Sequence, residues 1–202
     1  MTAVVAIDVV APVAAWEAVG LSMTNGVASV GGIELRFRDP APGEAPRVDR
    51  WVLAGCPAKV DRIDGLATAH EEAASVNHVP NALGAVVFDH LVVMTSSLER
   101  TCGEIERLTG EPLKRIREAG AIRQGFHRLG SLIIEVVESA QVTAPDASFW
   151  GFVLNVDDLD GLAERLGPDV LSPPKQAVQK GRLISTFRTS AGLGLPTALM
   201  TP

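Results

Sequence analysis

Few side chains in this chain are equipped for chemistry. It has four histidines (His70, His78, His90 and His127), two cysteines (Cys56 and Cys102) and no tyrosine, against 24 Asp plus Glu. A Cys-rich zinc centre and tyrosine acid catalysis are therefore excluded, and a metal site would have to be built largely from carboxylates. The two cysteines are far apart, in neither a metal-ligand nor a redox spacing, and read as buried small hydrophobes. Cations are better supplied. Arg123, Arg128, Arg182 and Arg188 fall in strand-like segments, with Gln124 and Gln179 nearby. An arginine on a sheet can fork onto a ligand carboxylate or phosphate, or pair with surface Asp and Glu. Trp150 and Phe152 alternate around Gly151, so one face of that segment is aromatic, suited to core packing or to stacking on an apolar ligand. The run Gly192-Leu193-Gly194-Leu195-Pro196 is not a dinucleotide loop, because no helix follows it, and neither a P-loop nor a Gly-x-Ser-x-Gly elbow occurs.

Composition sets the class. The chain has 202 residues, 47% of them hydrophobic, and a formal net charge of −6. That is a globular balance for one or two domains. Its acidity argues against nucleic acid or an anionic membrane as the main partner. The apolar N-terminus carries Asp8 and Glu17 without a basic residue, unlike a secretory signal, and no stretch supplies a spanning helix. The cytoplasm is the expected location.

The elements that would position these side chains repeat. Val86–Thr95 is apolar and β-branched and reads as a strand. Ser96 or Ser97 can cap the helix that follows, Leu98–Leu108, whose Leu98, Cys102, Ile105 and Leu108 share a face, and Gly110 stops it. Strand-like segments follow at Pro112–Arg117, Ala121–Leu129 and Ser131–Val137. The charged Lys114-Arg115-Ile116-Arg117 suits a solvent-facing edge. The same β-α-β-β-β order then recurs as strand Phe149–Val156, helix Leu159–Leu166 and strand segments at Val170-Leu171, Arg182–Arg188 and Leu195–Met200. A shorter echo opens the chain: strand Val4–Val10, helix Val13–Val19, and strands Gly26–Val30, Ile33–Phe37 and Val48–Leu53. Between Cys56 and Ala85 the sequence is polar and irregular and reads as a connector with a helical turn, His70 lying on a solvated helix face. The expected organisation is a short N-terminal unit (1–54), a connector (55–84) and paired units at 85–140 and 147–202. The fold class is α+β, with tandem β-α-β-β-β units forming a curved half-barrel cleft and an extra shortened N-terminal unit.

Tandem units of this order resemble the vicinal oxygen chelate superfamily, the glyoxalase, bleomycin-resistance and extradiol-dioxygenase group. Phe88-Asp89-His90-Leu91-Val92-Val93 is similar to that superfamily's first strand, whose histidine is a metal ligand. Gly130-Ser131-Leu132-Ile133-Ile134-Glu135-Val136-Val137 is similar to its fourth strand, whose glutamate is another. The segments Gly181–Arg188 and Gly192–Pro196 resemble the closing strands of glyoxalase-like proteins. The resemblance implies a divalent ion (Zn, Ni, Mn or Fe) held by two side chains from each paired unit. His90 and Glu135 match one pair. The position matching His90 in the second unit is Gly151, and near the match to Glu135 stand Thr197, Ala198 and Leu199, so half of the implied ligand set is missing.

An imidazole and a carboxylate from neighbouring strands can share a divalent ion, or simply hydrogen-bond each other. The leading expectation is a glyoxalase-like protein that binds or sequesters a small apolar ligand without metal, with Gln124, His127, Trp150, Gln179 and Arg188 as ligand contacts. The alternative is a metal-dependent lyase, isomerase or epimerase in which His90 and Glu135 hold the ion, Glu135 is catalytic and an enediolate is stabilised. His78, ahead of His90 in the connector, could be delivered by a folded-back loop. Three units are an odd number for a fold that pairs them, which points to a homodimer or to a cap within the chain.

Overall fold

A computed structural model describes residues 1–73 and 80–202; His78 lies outside them. The chain runs β1 (Ala3–Val10), α1 (Val13–Ala18), β2 (Val27–Val30), β3 (Ile33–Arg38), β4 (Arg47–Ala54), β5 (Arg62–Ile63) and β6 (Leu66–His70). It continues β7 (Ala85–Thr95), α2 (Leu98–Thr109), β8 (Arg115–Ala119), β9 (Ile122–Leu129), β10 (Leu132–Ser139), β11 (Ser148–Val156), α3 (Leu159–Leu166), β12 (Lys175–Gln176), β13 (Leu183–Thr186) and β14 (Thr197–Met200). The class is α+β, and β-α-β-β-β occurs twice in tandem, from β7 to β10 and from β11 to β14.

Local chemistry explains the junctions. Ser97 stands in extended backbone and its Oγ accepts from the Arg100 N–H at 3.4 Å, and Gly110 closes α2 in the left-handed region at φ 75°. The buried stripe Leu98, Cys102, Ile105 and Leu108 faces the sheet. Asp158 caps α3 by accepting from the Gly161 N–H at 2.9 Å. β7 and β10 lie parallel, so the first and last strands of a unit become neighbours, and β10, β9 and β8 follow antiparallel. β11 and β14 repeat the parallel pairing, with β14, β13 and β12 antiparallel beyond them. β8 ends its sheet, with Arg115 and Ile116 exposed, as its charge led one to expect.

The stretch read as irregular is not so. It holds the strands β5 and β6, and β6 runs parallel to β4, pairing Trp51 with Thr68 and Leu53 with His70. His70 is thus a strand residue rather than part of a helix face; its Nε2 lies 2.9 Å from the Val60 carbonyl oxygen. The β4–β6 segment therefore repeats the same arrangement, first strand beside last, with the helix lost. The opening segment does likewise: the chain leaving β1 bonds to the end of β3, Ala11 N–H to Arg38 C=O at 3.0 Å. Smaller differences lie at strand ends. The Pro112–Arg117 segment becomes strand only from Arg115, Leu195–Met200 only from Thr197, and Val170-Leu171 gives a single bridge from Leu171 to Phe187.

Contacts gather these segments into two units. The first contains Met1–Asp8, residues 48–73 and His90–Gly151; the second contains Val9–Arg47, residues 80–89 and Phe152–Pro202. In the first, Trp51 packs edge-on to Phe149 with ring centroids 5.6 Å apart. In the second, Trp16 lies against both Phe37 and Phe152, and Phe152 also meets Phe88. Phe152 is therefore core, 1% exposed, whereas Trp150 is 52% exposed.

Candidate functional site

Within the first unit, strand alternation sorts the side chains of β7, β10 and β9 onto two faces. One face packs on α2: Leu91, Ile134 and Val136 are buried there, and a Cβ on Gly125 would come within 2.7 Å of Cys102 Sγ. His90, Glu135 and Gln124 are on the other face, since Ile133 pairs with His90 and Glu135 with Phe126. That face is not closed over. His90 and Glu135 side chains are 13% and 14% exposed, and Ile133 and Phe126 are half-buried between them and the rim.

The polar centre of this face is a connected trio. His90 Nε2 lies 3.2 Å from Glu135 Oε2, and Gln124 Nε2 donates to Glu135 Oε1 at 2.5 Å. Each carboxylate oxygen thus has its own nitrogen partner. The amide orientation of Gln124 follows from the carboxylate, because the reverse would set two acceptors together. It leaves Gln124 Oε1 buried without a hydrogen bond among the described residues. The arrangement is an acceptor-rich polar spot on an otherwise apolar floor that includes Val92 and Val137.

Of the other proposed ligand contacts, His127 lies on the opposite face of the sheet. His127 is next but one to Gly125 on β9 and so faces α2; it is 1% exposed, with Nδ1 3.1 Å from the Glu111 carbonyl oxygen. Burial pushes its imidazole pKa below the ordinary 6.5. Arg123 faces α2 as well, bridging Glu99 at 2.7 Å and Glu138 at 3.0 Å. Trp150 belongs to the first unit; Gln179 and Arg188 belong to the second, where both are exposed. Arg188 Nε donates to the Pro168 carbonyl at 2.5 Å. Cys56 and Cys102 are both buried and free, and burial pushes the Cys102 thiol up to about 12.

A second polar group was not read from the sequence as a set. In the second unit, Arg182 Nη2 donates to Asp89 Oδ1 at 2.9 Å and to Asn155 Oδ1 at 2.6 Å, while Asn155 Nδ2 donates to Asp89 Oδ1 at 2.9 Å. The available signal was a polar residue inside each apolar strand run, Asp89 in Val86–Val93 and Asn155 in Phe152–Val156. Such residues require a buried partner.

The donor set for a metal can be tested on these side chains. His90 Nε2 and Glu135 Oε2 have the spacing of two donors to one ion, but protein-held catalytic ions take about three protein ligands. Among the described residues no three His, Cys, Asp or Glu side chains gather in one place. Gly151, at the position matching His90, carries no donor, so His90 and Glu135 supply only half of the implied ligand set.

No protein-family model matches the chain, and no curated protein does. Solved structures do. A triple mutant of 4-hydroxymandelate synthase from Streptomyces coelicolor matches with a TM-score of 0.68 at 12% identity, covering 98% of this chain and 92% of that one. Methylmalonyl-CoA epimerase from Mycobacterium tuberculosis matches with a TM-score of 0.52 at 16% identity, covering 62% of this chain and 93% of that one. No helix among the described residues is long and apolar enough to cross a membrane. At these identities the likeness is one of fold: the chain has the fold of the vicinal oxygen chelate superfamily, to which both proteins belong.

Proposed function

We propose that this chain is a glyoxalase-like binding protein, holding a small apolar ligand on the β7–β10–β9 face without a metal ion. The observation that carries this reading is the closed trio. Glu135 already has a nitrogen partner on each oxygen, from His90 and Gln124, so the carboxylate is accommodated by protein alone. The apolar floor supplies affinity by burial, and the His90–Glu135–Gln124 trio is the polar group against which the ligand is held. In this role Glu135 and Gln124 orient the ligand.

The test is thermal stability of the chain, purified without a polyhistidine tag, against aromatic and aliphatic ligands and against Ni²⁺, Zn²⁺, Mn²⁺ and Fe²⁺. Native-state binding raises stability by mass action, by about 2.7 kcal/mol at a hundredfold excess over Kd. The expected result is a saturable rise with an apolar ligand, reduced at least tenfold in affinity by Gln124→Ala, and no rise with the ions. A stoichiometric ion whose stabilisation disappears in His90→Ala would overturn it in favour of a divalent-metal-dependent lyase, isomerase or epimerase. A flat response to every compound would remove both readings.

A further inference from the structure

The register that builds the trio also sets two arginines on its face. β8 pairs Arg115 with Phe126 and Arg117 with Gln124, and β10 pairs Glu135 with Phe126 and Val137 with Gln124. One row across the three strands therefore reads Glu135, Phe126, Arg115, and the next reads Val137, Gln124, Arg117, all on the side away from α2. Arg115 is exposed and Arg117 half-buried. These two arginines differ from the rest. The chain has 24 acidic residues against 18 basic ones, so carboxylate partners are plentiful. Every other arginine donates from its side chain to a carboxylate or a carbonyl oxygen. Among the described residues the side chains of Arg115 and Arg117 have neither a hydrogen bond nor an ion pair.

The charge on this face is thus graded. Glu135 lies two strands from Arg115, about 10 Å at the usual strand spacing, and both its oxygens are taken by His90 and Gln124. Between carboxylate and cations lies Phe126, flanked by Ile122 on its own strand and Ile133 on β10, and all three keep part of their surface open. Charge at a sheet edge also deters strand addition, but that role does not ask for two unpaired cations on the side of the trio. A guanidinium forks onto a carboxylate or phosphate, and two of them on alternate residues of one strand stand about 7 Å apart, within reach of one oxyanion. We infer that the ligand of this face is an amphipathic oxyanion, its acid group held by Arg115 and Arg117 and its apolar body over Phe126 towards the trio, which rests on the apolar-ligand reading of the face and adds the ligand's charge.

Methionine-methyl NMR of the whole chain tests this, because Met94 pairs with Val137 and so shares the face of the trio, half-buried, while Met200 belongs to the second unit and serves as reference. The probe is 2-naphthoate and its uncharged control 2-naphthamide, which has the same apolar body. The expected result is a saturable shift of the Met94 methyl, with naphthoate binding at least tenfold more tightly than naphthamide at low salt. That preference is expected to vanish in Arg115→Gln/Arg117→Gln, and in the parent at about 1 M salt, where screening acts within about 3 Å. Equal affinity for the two compounds in the parent, or a preference that survives the substitutions or the salt, would overturn the inference, leaving the arginines as edge guards and the apolar-ligand reading in place. An unmoved Met94 with both compounds would overturn that reading too.

Discussion

Single residues here are legible by what they are buried with. His127 shows it. Its Nδ1 meets the Glu111 carbonyl, which fixes the Nδ1–H tautomer, and its Nε2 is buried with no partner among the described residues. Protonation would place an N–H where nothing accepts it, so burial holds the pKa below 6.5. The unfolded chain therefore takes up this proton before the folded one as pH falls. Stability from His127 is present above about pH 6.5, and is lost as pH drops from there towards the lowered folded value. Urea midpoints from pH 8 to pH 5 are expected to fall more steeply for the parent than for His127→Gln, and parallel curves would contradict this. Strand periodicity alone would have set His127 opposite Gln124, since they are three apart on one strand. What no local pattern shows is which of those faces packs on a helix, and His127 was read beside the cleft for that reason. His90, Glu135 and Gln124 meet because the parallel β7–β10 pairing brings distant segments side by side. That pairing came from the resemblance, not from spacing.

Elements were readable where apolar periodicity was strong. α2, α3 and the long strands β7, β9, β10 and β11 fall within two residues of their expected bounds. β5 and β6 did not show, because β5 spans two residues and β6 alternates small and polar side chains. Their stability comes from partners distant in sequence. Asp64, beside β5, accepts from Arg100 Nε at 2.8 Å and Thr101 Oγ1 at 2.5 Å, tying the hairpin to the start of α2. The packing of α2 on β9 can be tested at Gly125. A Cβ there would lie 2.7 Å from Cys102 Sγ and 3.1 Å from Leu98 Cδ1, both on the buried stripe of α2. Gly125→Ala is expected to cost about 1–3 kcal/mol by overpacking. Cys102→Ala removes the sulfur, so the double variant should be more stable than the two single losses predict. Additive losses in chemical denaturation would place the strain elsewhere.

At the scale of the molecule, the first 70 residues are not an appendage to two paired units. The β4–β6 segment adds a fourth copy of the strand arrangement, removing the odd count on which the homodimer expectation rested. The copies also interleave in sequence: each contact unit draws on both the N-terminal and the C-terminal half of the chain. In the first unit, Thr2 donates to Glu111 and to the Thr109 carbonyl, and Cys56 Sγ to the Leu108 carbonyl, so the end of α2 is anchored by residues 1–56. In the second, Trp16 is wholly buried against Phe152 and its Nε1 donates to the Leu193 carbonyl at 3.2 Å. Removing residues 1–83 would strip Phe149 of Trp51 and Phe152 of Trp16, leaving Phe152 only Phe88, and would leave the Leu108, Thr109 and Leu193 carbonyls without these donors. Losses of that kind, each about 1–5 kcal/mol, exceed the margin of an ordinary domain when several occur together. The segment 84–202 alone is therefore expected to lose near-ultraviolet dichroism and show no cooperative urea transition, although it contains both full β-α-β-β-β units. A sharp transition with the parent's midpoint would show that the tandem units stand alone and that the N-terminal copies serve another purpose.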